Sequence, residues 1–252
     1  MHLSIHVERT GGTSLLAEYE KFYGSDRVLL YSADRDQLIR ASDIPISPAN
    51  ESVSKLKALL ERTIIVRFVY RLYVSFVKNS DDVLLWHAIN DIPTDVDIIH
   101  GHYLPDRFVE LIPTSFTSIV LREPLERMVS QYLHWQRAGG DMGFRVRVPF
   151  DSEMTFKEYA LREEFTNFQT RALGSMDLND FDLVGITPRL DRFIAWIIKK
   201  PFLEDFEVTK VNYLAHKPKY KELGITPYMI EKFKEINAED YQNYRKAVEL
   251  AI

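Results

Sequence analysis

Between positions 6 and 15 the chain reads HVERTGGTSL, which sets a cation, Arg9, beside two glycines and three hydroxyl side chains, Thr10, Thr13 and Ser14. Glycines let backbone approach a ligand closely, and a helix that follows presents free N–H groups in a potential that favours negative charge. The stretch therefore suits an oxyanion held by Arg9, Thr10, Gly11, Gly12, Thr13 and Ser14. It matches neither the G-x-x-x-x-G-K-[ST] loop of nucleotide triphosphatases nor the dinucleotide pattern G-x-G-x-x-G. Standing alone, Gly11 and Gly12 fit an ordinary tight turn as well. A second basic turn follows in LREPLERMVSQY, which carries Arg122 and Ser130 with Arg127 between them. Singly, Arg122 reads as a salt-bridge partner and Ser130 as a helix-surface residue. Two anion-binding turns at adjacent strand ends suit a ligand with two phosphate groups.

The element HGHY supplies His100 and His102 just after a predicted strand. Imidazole titrates near neutrality, so either is a candidate base. His102 is preferred, with His100 in support; each by itself also reads as a hydrogen-bonded structural residue. Two histidines with no nearby carboxylate make a poor metal site, and no metal is expected. Asn167, Gln169 and Arg171 form a polar patch on a predicted helix, with Asn167 and Arg171 on one face at i,i+4 spacing. Asn167 and Arg171 are candidate substrate contacts, and a solvated face is the plainer alternative. Lys217 and Lys219 lie where a late loop could reach a phosphate, and read more simply as surface lysines.

These residues need elements to hold them. Leu3 to Val7 alternates as a strand, a turn and a helix ending at Gly24 follow, and a second strand runs from Arg27 to Tyr31. A strand-loop-helix-strand opening implies a parallel sheet. Further strands are expected at Asp97 to Ile99, over SFTSIVL before Arg122, and at Phe181 to Val184. The stretch from Pro124 to Gly139 has proline where a first helical turn tolerates it and a glycine pair at its end. Helices are also expected over Phe156 to Leu173, Pro188 to Lys199 and from Pro227 onward, with loop between Arg145 and Asp151. The fold class is α/β, a central, mainly parallel sheet flanked by helices.

With 252 residues, 46% of them hydrophobic, and no obvious linker, residues 1–252 read as a single domain with a helical insertion around 50–80. Within that insertion IIVRFVYRLYVSFV is strongly apolar, yet as a helix it spans about 21 Å and carries Arg67 and Arg71. A bilayer core needs ~30 Å, so it reads as a buried or interfacial helix rather than a transmembrane segment. The absence of cysteine excludes disulfides, thiolate metal sites and a cysteine nucleophile. A net charge of −5 argues against nucleic acid or an anionic membrane as a general partner. The start MHLSIHVERTGG lacks a secretory signal, so a cytoplasmic location is expected unless the chain is a trimmed lumenal domain. Oligomeric state does not follow from the sequence.

Taken together, these motifs resemble those of the sulfotransferases that use 3′-phosphoadenosine-5′-phosphosulfate (PAPS), and within them the carbohydrate branch with uronyl and heparan sulfate 2-O-sulfotransferases and bacterial relatives. HVERTGGTSL looks like that family's 5′-phosphosulfate loop, usually H-x-P-K-T-G-G-T-[ST]-[LF], and LREPLERMVSQY looks like its 3′-phosphate motif. HGHY at 100–103, NFQTRALG at 167–174 and LVGITPRLDRF at 183–193 are similar too, and the likeness is weakest from 32 to 95. The resemblance implies a P-loop-like sulfotransferase fold and transfer of a sulfuryl group from PAPS to a hydroxyl, expected on a sugar or glycan, with release of the bisphosphate PAP. It implies that Arg9 to Ser14 hold the 5′-phosphosulfate, that Arg122 and Ser130 hold the 3′-phosphate, and that the HGH element carries the catalytic histidine. The usual Pro-Lys is Glu8-Arg9 here, which keeps the charge and changes its reach and geometry. The alternatives are a non-catalytic carbohydrate- or partner-binding protein that retains the fold and, less favoured, a P-loop-type kinase.

Overall fold

The segment His2–Ile5 forms β1, and its alternation has a consequence on each face of the sheet. Leu3 and Ile5 enter one apolar cluster, while His2 and Ser4 point the other way and are equally buried. Buried polar side chains need partners. His2 finds Ser118 at 2.7 Å, and the Ser4 hydroxyl lies 3.1 Å from the Tyr19 hydroxyl and 3.0 Å from Nδ1 of His100. The strand is thus covered on both sides.

The computed structural model describes residues 1–32, 36–44, 86–140, 146, 148–199 and 220–251. The apolar helix expected around 50–80, the lysines Lys217 and Lys219, and part of the loop expected at 145–151 lie outside them. The helix after β1, α1 (Gly12–Tyr23), buries Leu15 and Tyr19 one turn apart and stops at Gly24, whose φ is 90°. Next come β2 (Val28–Ser32), β3 (Gln37–Arg40), β4 (Trp86–Ala88), β5 (Ile98–Gly101), α2 (Pro105–Leu111) and β6 (Phe116–Leu121). Helix α3 (Pro124–Ala138) begins with a proline behind the Glu123 carboxylate, which accepts from the Glu126 N–H at 2.6 Å. It ends at left-handed Gly139. The rest is α4 (Phe156–Ala160), α5 (Phe168–Ala172), β7 (Leu183–Ile186), α6 (Leu190–Lys199), α7 (Pro227–Ile236) and α8 (Ala238–Leu250).

The seven strands form one sheet in the order β4-β3-β2-β5-β1-β6-β7. The five strands from β2 to β7 are parallel, while β3 and β4 add an antiparallel edge that the sequence pattern does not announce. Helices α1 and α6 cover one face through Leu15, Tyr19, Leu190 and Phe193. Helix α3 covers the other through Leu125, Met128, Tyr132 and Trp135. Strands β1 and β6 are neighbours whose following helices depart to opposite faces. That is a topological switch point, where open α/β sheets form a crevice beyond the strand ends.

The single helix expected over Phe156 to Leu173 is instead two short helices with a 3-10 turn at Glu163–Phe165 between them. Asn167 breaks it, sitting at φ 47° with its N–H donated to Asn237 at 2.9 Å. A tie to the C-terminal helices outcompetes one more helical turn. The C-terminal region likewise divides at Asn237, whose side chain donates to the Phe233 carbonyl. No helix among the described residues is long and apolar enough to cross a membrane.

Candidate functional site

The chain leaves β1 through two left-handed residues, Arg9 at φ 69° and Gly11 at φ 111°, before α1 begins. Left-handed backbone in a short turn lines N–H groups along a concave surface that suits anions. Among the described residues no side chain caps the start of α1. Thr13 is exposed and Ser14 half-buried there, so both are within reach of a ligand. Thr10 behaves differently. Its hydroxyl donates to the Val7 carbonyl at 2.8 Å, so the proton expected for a ligand holds the loop in shape instead. The glycines also serve a different neighbour from the one the sequence suggests. A Cβ on Gly12 would stand 1.8 Å from the His6 ring, so this close approach is made by the protein's own imidazole.

The second turn starts at Arg122, the first residue past β6. Gln169 pins it with both ends of one amide: Oε1 accepts the Arg122 N–H at 3.0 Å and Nε2 donates to the Arg122 carbonyl at 2.8 Å. Gln169 is held in turn by Asp240, whose carboxylate accepts the N–H groups of Gln169 and Thr170 and the Thr170 hydroxyl. The guanidinium of Arg122 reaches back to the Arg9 carbonyl at 3.3 Å and lies 3.6 Å from the Glu126 carboxylate. Nε of Arg9 donates to the Ser130 hydroxyl at 3.3 Å. The two turns are therefore in contact beyond the C-terminal ends of β1 and β6.

At Arg9 the cationic neighbours outweigh the anionic one. Burial lowers the pKa of Arg9 and the guanidinium groups of Arg137 and Arg122 lower it further, against a weaker opposing pull from Glu8. Arg137 escaped the sequence analysis, although it stands seven positions after Ser130, on the same face of α3. Glu8 is 7% exposed and also faces the buried Arg127, where its charge adds to that of Asp240. Arg127 stacks over the Phe168 ring at 4.3 Å, a structural position rather than one at the opening.

Three imidazoles lie beneath and beside the first turn. His6 stacks on His102 with centroids 4.2 Å apart and on His100 at 5.1 Å. His102 is half-buried, and its Nδ1 donates to the His6 carbonyl at 2.7 Å. A carbonyl can only accept, so this bond fixes the tautomer and makes Nε2 the acceptor nitrogen. His100 is 3% exposed and bonded to Ser4. Burial, followed by the neighbouring His102, brings its pKa down to about 3. His6 is lowered well below its usual value by the same causes, with His100 and Arg9 adding to them.

Asn167 and Arg171 do not join this cluster. The Asn167 side chain accepts from the Asp240 N–H at 3.3 Å, and the exposed Arg171 donates to the Glu164 carbonyl. The neighbour that does touch the site is Gln169. Among the described residues no group of His, Asp or Glu side chains is arranged to hold a metal ion. Searches against models of protein families, curated proteins and solved structures find nothing that matches this chain. The local geometry offers two turns in contact, guanidinium groups at both and one oriented imidazole.

Proposed function

We propose that the chain is a sulfotransferase, moving a sulfuryl group from PAPS to a hydroxyl, with a sugar as the expected acceptor. The observation that carries this reading is the meeting of the two turns, Arg9 with Ser130 and Arg122 with the Arg9 carbonyl, at the switch point between β1 and β6. A donor with a phosphate at each end of one ribose has one group for each turn, which a nucleotide with a single phosphate chain does not. The uncapped start of α1 and the hydroxyls of Thr13 and Ser14 suit the 5′ end, with Arg122 and Ser130 for the 3′ phosphate. Asn167 and Arg171 have no assigned role in this scheme.

The donor supplies an activated sulfuryl group with a phosphate as leaving group. For its part the chain must place the acceptor oxygen in line, take its proton and meet charge on the departing oxygen. Nε2 of His102 is the group for the proton, held to that task by the bond from Nδ1 to His6. Arg9 is the group for the charge. His100, neutral and buried, supports the floor on which His6 and His102 stack. A non-catalytic reading draws on one observation, that Arg9 stands where the resembled family has lysine and is already engaged with Ser130.

The test is transfer of labelled sulfate from PAPS to a panel of glycans and small alcohols, with His102→Ala as control. Product from the wild-type chain, lost in the variant, supports the proposal. Donor binding with no transfer to any acceptor favours the binding protein, and tight ATP–magnesium binding without bisphosphate binding favours the kinase.

A further inference from the structure

Thr187 follows β7 directly, and its hydroxyl is buried at 3% residue exposure. That hydroxyl lies 3.0 Å from the carbonyl oxygen of Thr10 and 3.2 Å from that of Leu121. A hydroxyl has one proton, and carbonyls only accept, so the proton is shared between them in a three-centre bond. The two carbonyls belong one to each turn, Thr10 at the end of the first and Leu121 at the start of the second. Thr10 precedes Gly11, from which α1 starts, and Leu121 precedes Arg122, from which the second turn starts.

The parallel pairing of β1 with β6 runs only as far as Ile5 opposite Ile119. Beyond it the chains diverge toward opposite faces. Among the described residues, the side-chain bonds that span the gap include Arg122 to the Arg9 carbonyl, Arg9 to Ser130, and the Thr187 bridge. The first two use guanidinium groups that an anionic ligand would draw toward itself. The Thr187 bridge uses a buried neutral hydroxyl aimed at backbone, which a ligand has no means to recruit.

We infer that Thr187 is a positioning residue that sets the spacing of the two anion turns, so that a ligand with two phosphates meets both without first drawing them together. The inference rests on the reading that one ligand spans both turns. Preset spacing strengthens a two-point ligand and does little for a one-point ligand.

The experiment measures calorimetric affinities for adenosine 3′,5′-bisphosphate, adenosine 5′-monophosphate and adenosine 3′-monophosphate in wild type, Thr187→Val and Thr187→Ser. Valine keeps the shape and removes the hydroxyl, and serine keeps the hydroxyl. Thr187→Val is expected to lose about tenfold for the bisphosphate, the order of one hydrogen bond, with both monophosphates within about twofold. Thr187→Ser is expected to restore the bisphosphate affinity. Equal weakening of all three ligands, or no change in any, overturns the inference. Should valine prevent folding, Thr187→Ala in the same titrations carries the comparison. Failure of the underlying reading looks different: the wild-type chain itself would bind the bisphosphate no more tightly than either monophosphate.

Discussion

Nε of Arg9 donates to Oγ of Ser130 at 3.3 Å, joining the turn after β1 to the helix after β6 across 121 positions of sequence. The two turns meet through charged and hydroxyl groups before any ligand arrives. On the proposed reading, an anion entering there would gain donors from both at once.

Arg122→Ala is therefore expected to weaken adenosine 3′,5′-bisphosphate binding by at least about tenfold, since a hydrogen bond to a charged group contributes about 1.5–3 kcal/mol. Ser130→Ala removes a neutral partner and is expected to weaken it less. Isothermal titration of both variants measures the order, and an Arg122→Ala variant that binds like wild type contradicts the assignment.

His102 is held by its Nδ1 bond to the His6 carbonyl. His102→Ala is expected to leave bisphosphate affinity within about twofold of wild type and to lower sulfate transfer by a factor on the order of 10² to 10⁴. Equal loss of both would mean that the ring shapes the anion site rather than acting on the acceptor.

Two histidines with lowered pKa make stability depend on pH. His6 and His100 are both lowered in the folded chain, chiefly by burial, and His100 comes down to about 3. The unfolded chain, with histidine near 6.5, then binds more protons over the interval between those values. Stability from keeping these rings neutral is fully present above about pH 6.5 and is lost progressively as pH falls toward 3. Urea midpoints measured from pH 8 to pH 5 are expected to fall most steeply below 6.5, and His100→Gln is expected to flatten that slope. An unchanged slope in the variant removes His100 from this role.

Gly12 is required by His6, whose ring a Cβ would meet at 1.8 Å. Gly12→Ala is expected to destabilise the chain by about 1–3 kcal/mol through overpacking. In a His6→Ala background the same change should cost less than about 0.5 kcal/mol, because the clash has gone. Chemical denaturation of the four proteins closes the cycle, and equal costs in both backgrounds would show that the ring is not the obstacle.

The central strands and their turns were legible because their signals are local. Alternation marks β1, proline and glycine bracket α3, and the glycine pair marks the turn before α1. What escaped rests on distant partners. Asn167 breaks a helix because Asn237, 70 positions away, takes its N–H. The four residues of β3 have no strand signal until β2 and β4 pair with them. Within the site, Arg9, Arg122, Ser130, His100 and His102 could be named from the sequence and Arg137 was not, and neither the inward turn of the Thr10 hydroxyl nor the Thr187 bridge could be read there. Each is a side chain choosing a backbone carbonyl, and no residue type or period announces that choice.

The most direct test of the account is titration of the wild-type chain with adenosine 3′,5′-bisphosphate in magnesium-free buffer, beside the two adenosine monophosphates. Binding of the bisphosphate at least about tenfold tighter than either monophosphate, a gain of about 1.4 kcal/mol, is the predicted result. Affinity that does not change when the second phosphate is added would contradict it, and would leave two turns that touch without sharing a ligand.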